Sequence, residues 1–263
     1  MEKRRELFEL AILGGSIERR YRAMRPDVEA MPWGTLDPRL YTKPLVDAAR
    51  RSWTLAAYQE HRTGAACAAS LEALIKARAP VDLIAVATRF PLDELAHVEM
   101  CARLAMELGG GATLYHDPGL VTHPDAALPP LLYAAELVVR VFCVGEAISI
   151  PLLRGTARAS THPLVRQVMN RIVKDEAAHG RFGWLFLDWA EALFSEEEKR
   201  FLGDVAKDEI GKLERAWDAM QPQPECADDV HALGWMESQA YLDLARKTIE
   251  TDVKAPLTAR GIL

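Results

Sequence analysis

No Cys-x-x-Cys pair occurs in the chain, and its four cysteines, Cys67, Cys101, Cys143 and Cys226, are scattered. That argues against a rubredoxin-like segment and against the common zinc frameworks. The first three fall inside apolar helical patterns, so they read as reduced core thiols of a cytoplasmic protein rather than a disulfide framework. No block of basic residues occurs either. With a formal net charge of −6, the chain shows no electrostatic footprint for a nucleic-acid partner. Long apolar runs without charge are also missing. The most membrane-like stretch, 131–153, carries Glu136, Arg140 and Glu146, and reads as a buried helix of a soluble protein with no membrane partner. The leading MEKRRELFELAILGG lacks the pattern of a secretory signal: Glu6 and Glu9 interrupt its apolar stretch, and no clean cleavage site follows. Low-complexity segments are absent and alternating strand patterns are scarce.

What remains is helical. Ala, Leu, Glu and Arg recur with helical periodicity, which predicts an all-α fold. Residues 3–24 read as one amphipathic helix. The four prolines of 26–44 mark an irregular connection. Long helices are expected over 44–78, over 81–108 with a kink at Pro91, over 129–159 with a disturbance near Pro151, and over 163–194. The triple glycine at 109–111 stops the second of these. SEEEK at 195–199 carries a capping-box pattern and starts a fifth helix. PQPEC at 222–226 breaks the chain, and a last helix covers 229–252. The chain therefore divides into an N-terminal helix and connection (1–43), a four-helix core (44–194) and C-terminal helices packed on it (195–263), as one domain.

A two-fold internal echo carries the chemistry. LDELAHVEM holds Glu94-x-x-His97, and KDEAAHGRF holds Glu176-x-x-His179. Residues three apart share a helix face, so each motif presents a carboxylate beside an imidazole. The preceding helix supplies one more carboxylate in each half, Glu60 in AAYQEHRTG and Glu146 in VFCVGEAISIPLL, at nearly repeating distance. All lie on apolar stripes: Trp53, Ala57, Glu60, Gly64, Cys67 on one helix; Phe90, Glu94, His97, Cys101 on the next; Ile172, Glu176, His179, Gly183, Phe186 on the last. A buried carboxylate without compensation costs several kcal/mol, so a neutralising partner is required. Four carboxylates and two imidazoles converging in an apolar bundle suit two divalent metal ions, with iron favoured over magnesium or calcium by the imidazoles. Metal-bound imidazoles usually give their free ring N–H to an acceptor. Asp93 and Asp175 precede the two motif glutamates and are assigned that role crosswise, Asp93 to His179 and Asp175 to His97. Tyr58, Cys67, Cys101, Phe142 and Phe186 are candidate walls of a substrate pocket, or ordinary core. Gly64, Gly145 and Gly183 could leave room near the ligands or permit close helix packing. His61 points about 100° away from Glu60 and belongs to another layer.

QEHRTGAA, LDELAHVEMCARLA, CVGEAISI and DEAAHGRFGW together resemble the ferritin-like di-iron carboxylate superfamily over roughly 44–194. More narrowly, the same stretches resemble bacterial ferritin-like proteins of unassigned reaction. By motif the chain is similar to bacterial multicomponent monooxygenases, the small ribonucleotide reductase subunit, aldehyde-deformylating oxygenases and arylamine N-oxygenases. The resemblance implies a ferritin-like four-helix bundle with additional N- and C-terminal helices. It implies Glu60 and His97 as terminal ligands of one iron, Glu146 and His179 of the other, and Glu94 and Glu176 as bridges. Arylamine N-oxygenases carry an extra histidine one turn before the second motif; here that position is Ile172, a departure from that branch.

The activity so implied is that of a non-haem di-iron monooxygenase or oxidase. It would use two iron ions (Fe2+/Fe3+, or a manganese/iron pair) and O2 as co-substrate on a small organic molecule, with an external electron donor. A homodimer is compatible with this reading. Two other readings stand beside it: a ferritin-like ferroxidase or iron-binding protein without organic substrate, and a di-iron tRNA hydroxylase, which the acidic balance disfavours.

Overall fold

A computed structural model describes residues 5–121, 127–219 and 227–263; Cys226 and His123 lie outside them. The described chain is all-α apart from one two-stranded ribbon. Four long helical stretches dominate. The first is α3 (Lys43–Lys76), after the short α1 (Gly15–Ala23) and α2 (Pro26–Glu29). Next come α4 (Val81–Ala87) and α5 (Phe90–Glu107). The third stretch is composite: α6 (Pro130–Val138), a π-helical segment (Val139–Glu146) and α7 (Ala147–Ala159). The fourth is α8 (Pro163–Ala190), with Pro163 in its first turn and His162 as N-cap. α3 packs along α5, α7 and the π segment pack on α8, α6 packs on α3, and α5 meets α8.

Four expectations are corrected, the last of them in the C-terminal helices. Residues 3–24 do not form one helix. Gly14 and Gly15 take φ of 82° and 64°, which halts the helix on its N-terminal side. Upstream, β1 (Glu6–Leu7) pairs antiparallel with β2 (Tyr115–His116), and Phe8 N–H donates to Leu114 O at 2.8 Å. The helix expected over 81–108 is two helices. The chain turns at Thr88–Arg89, and Pro91 sits in the first turn of α5, where its missing N–H leaves no bond unmade. The disturbance in the third stretch is the π segment, upstream of Pro151, which α7 contains. Ser149 Oγ lies 3.3 Å from Glu146 O in the turn before that proline.

The capping box forms as its spacing requires: Glu198 N–H donates to Ser195 Oγ at 3.2 Å, and Ser195 N–H to Glu198 Oε2 at 2.8 Å. It starts α9 (Glu196–Asp218), which lies on the π segment and α6. The C-terminal helix expected over 229–252 is broken: α10 (Ala227–Ala232) ends before Gly234 (φ 98°), followed by α11 (Ser238–Thr248), a second π segment (Ile249–Lys254) and α12 (Ala255–Ala259). α11 packs on α7. Among the described residues no helix is long and apolar enough to cross a membrane.

The buried apolar side chains form two clusters. One gathers Leu74, Phe90, Phe142, Phe182 and Leu187 with the C-terminal helices. The other gathers Trp53, Met100, Leu104, Val165 and Ile172 with the segment before α3. Along α5 the order is Phe90, then Glu94 and His97, then Met100; along α8 it is Ile172, then Glu176 and His179, then Phe182. The titratable residues thus form a polar layer between two apolar ones.

Candidate metal centre

α3 contributes Glu60 to this layer, α5 contributes Asp93, Glu94 and His97, the π segment ends on Glu146, and α8 contributes Asp175, Glu176 and His179. Their donor atoms fall into two overlapping groups. Glu60, Glu94, His97 and Glu176 form one, and Glu94, Glu146, Glu176 and His179 the other; within each group one donor atom per residue lies within 4.8 Å of the rest. Glu94 and Glu176 belong to both. His97 Nδ1 is 3.1 Å from Glu176 Oε1, 3.6 Å from Glu60 Oε2 and 3.8 Å from Glu94 Oε2. His179 Nδ1 is 2.9 Å from Glu176 Oε2, 3.0 Å from Glu94 Oε1 and 4.0 Å from Glu146 Oε1. Five of the six residues are buried; the Glu60 side chain keeps 17% exposure.

The opposite ring nitrogens face aspartates. Asp175 Oδ2 lies 3.2 Å from His97 Nε2, and Asp93 Oδ2 lies 3.6 Å from His179 Nε2. A carboxylate accepts, so His97 Nε2 carries the hydrogen towards Asp175, while His179 Nε2 and Asp93 Oδ2 stand too far apart to bond; both Nδ1 atoms are turned to the carboxylate cluster.

Electrostatics follow from burial and crowding. Burial, then the Glu60 and Glu176 carboxylates, push Glu94 well above the usual carboxylate range, against the pull of His179. Burial, then Glu176 and Glu94, do the same to Glu146. Burial would raise Glu176 too, but the His179 and His97 imidazoles close beside it outweigh that and hold its carboxyl low. Burial would lower both histidines. Instead Glu176, Glu60 and Glu94 raise His97 well above the usual imidazole value, and Asp93, Glu176 and Glu94 raise His179 to about 12. In the metal-free protein, protons therefore neutralise the cluster. They do it with poor geometry: Glu94 Oε1 and Oε2, Glu176 Oε2, His97 Nδ1 and His179 Nδ1 are buried with no hydrogen-bond partner among the described residues. Orphaned donor atoms that converge in this way fit a cation set among them. The arrangement is compatible with a di-iron carboxylate site.

The candidate pocket residues divide. Cys67 and Cys101 are buried, and burial followed by the nearby carboxylates pushes both thiols well up. Phe142 stands 5.4 Å from Phe90, whose ring is 4.3 Å from the His179 ring. Phe186 instead packs on Trp189 at 5.6 Å. Tyr58 packs outward, 5.3 Å from Phe8 and 4.9 Å from His116, beneath the β1–β2 ribbon. His61 joins that outer cover, 5.8 Å from Phe8. Gly183 serves packing: a Cβ there would meet Cys143 Sγ at 2.6 Å, so its absence lets the π segment press onto α8.

Three contributors escaped the sequence reading. Ser149 Oγ donates to Glu146 Oε2 at 3.0 Å. Arg171 pairs with Asp175 and, at 2.6 Å, with Asp27. Arg89 reaches both aspartates. A signal for the arginines was present, because the echo extends to Arg-x-x-x-Asp-Glu-x-x-His in both halves. No family model matches the chain, and no curated protein matches it. Fold and geometry thus define a helical protein with a buried carboxylate–imidazole site able to hold metal ions.

Proposed function

We propose that this protein is a ferritin-like di-iron carboxylate oxygenase or oxidase that uses O2 to oxidise a small organic substrate. The observation that carries the reading is the pair of donor groups sharing Glu94 and Glu176, each group completed by one carboxylate and one imidazole of its own. Support for the bundle assignment comes from the packing of α3 on α5, of α7 on α8, and of α5 on α8. Glu60, Glu94, His97, Glu146, Glu176 and His179 would hold two iron ions, and those ions when ferrous would supply electrons to O2. The chain's own residues do the rest. Asp175 holds the His97 imidazole with Nδ1 inward, and Asp93 stands behind the His179 ring. Phe90 and Phe142 keep water from the His179 side. Glu60, the most exposed of the six, marks the side on which solvent comes nearest.

Iron analysis of protein produced with iron supplementation is expected to give about two ions per chain, and Glu146→Ala about one. Mixing the anaerobically reduced protein with O2 in a stopped-flow instrument, across a panel of small organic compounds, then separates the activities. One compound that alters the absorbance transient and is itself oxidised supports the enzyme. Iron oxidation unaffected by every compound turns the assignment to a ferroxidase. Zero iron uptake removes the reading.

A further inference from the structure

Arg89 is the one described side chain that touches both aspartates behind the imidazoles. Its Nε lies 2.8 Å from Asp93 Oδ2, and its Nη2 donates to Asp175 Oδ1 at 3.2 Å. Asp93 is one turn ahead on the same helix, while Asp175 is on α8. The reach follows from the break between α4 and α5. Leu92 and Asp93 N–H donate to Arg89 O at 3.0 and 3.1 Å, so Arg89 opens α5 and points along its first turn at Asp93. From there the planar guanidinium spans to the neighbouring helix, as a lysine point charge cannot. A line of neighbouring groups results: His97, Asp175, Arg89, Asp93, His179, with hydrogen bonds or ion pairs up to Asp93 and a looser 3.6 Å approach of Asp93 Oδ2 to His179 Nε2. Arg171 occupies the equivalent place in the second half, yet among its contacts are Asp175 and Asp27, not Asp93. The sequence echo is two-fold; the bridge is single.

We infer that Arg89 is a positioning residue that clamps Asp93 and Asp175 together and thereby orients both metal-facing imidazoles at once. The inference rests on the metal reading above and deepens it. Arg89 touches none of the six donor residues' metal-facing atoms and acts through the aspartates. Its side chain is 59% exposed, so replacing it leaves the apolar clusters intact. Losing the clamp frees both imidazoles, whereas losing Arg171 loosens only the His97 side.

Cobalt(II) titration of the full chain, followed by its visible absorption, tests this. Wild type is expected to take up two ions. Arg89→Met and Arg89→Lys should each weaken both binding steps about tenfold or more, the range usual for partners of metal-bound imidazoles. Arg171→Met should weaken one step. Proton NMR of the cobalt-loaded protein supplies a readout that a purely structural role would not move: two shifted, exchangeable imidazole N–H signals, both exchanging faster in the Arg89 variants. Should Arg89→Met fail to fold, Arg89→Lys, which keeps the charge and stem, carries the test. Wild-type affinity in Arg89→Lys, or weakening of a single step in either Arg89 variant, overturns the clamp. Failure of wild type to take up cobalt overturns the metal reading itself, so the two failures are distinguishable.

Discussion

Glu94, Glu146, His97 and His179 all hold protons more tightly in the folded, metal-free protein than they would in an unfolded chain. For His179, the stabilisation is complete below the ordinary imidazole value and is lost as pH climbs towards about 12. The raised carboxyls act in the same direction, because the fold must surrender their protons as pH rises. Asp93 and Glu176 are held low and stabilise only above the ordinary carboxylate range, so they set the acid limit. The metal-free protein is therefore expected to lose stability progressively as pH rises from the ordinary imidazole value of 6.5 towards about 12, read as a falling Tm. Metal binding should show the opposite trend. The ions displace those protons, so affinity rises with pH and protons are released on loading, measurable with an indicator dye in weak buffer. At this scale the six clustered residues were legible, because three-residue spacing on an apolar face leaves few alternatives for a charge. Arg89 and Arg171 were not, since an arginine four residues before an aspartate reads as an ordinary pair along a helix surface.

The π segment at 139–146 carries Glu146 at its end and packs its Phe142 and Cys143 on α8 at Gly183. One extra residue per turn changes which side chains face inward, and such segments occur often at functional sites. Gly183→Val would place carbon against Cys143 Sγ, at 2.6 Å for the first atom, and against Cys143 N at 3.0 Å. Overpacking of this kind costs about 1–3 kcal/mol, to be read from urea denaturation. Because the segment must shift to relieve it, metal uptake at the site should fall along with stability. The long helices were legible from their periodicity and from the breakers Pro80, Gly109 and Pro163. The π segment was not: 139–146 continues the helical pattern on either side of it, and its one glycine, Gly145, reads as a packing position rather than as a change of helix type. The β1–β2 ribbon escaped for the opposite reason, since two residues per strand leave no alternation to read.

Across the whole molecule, the ionisable layer separates one apolar cluster from the other. Ions bound there favour the folded state by mass action. At a free concentration one hundred times Kd, the gain is about 2.7 kcal/mol for a single site, enough to raise Tm by several degrees; differential scanning calorimetry of loaded and chelated protein checks it. A core split in this way has a second consequence. With no ion in that layer the molecule would have two oily halves joined through a seam of ionisable groups, and nothing would oblige both to melt at one temperature. Chelation should therefore broaden the heat-absorption peak or divide it in two, while the loaded chain melts as a single cooperative body.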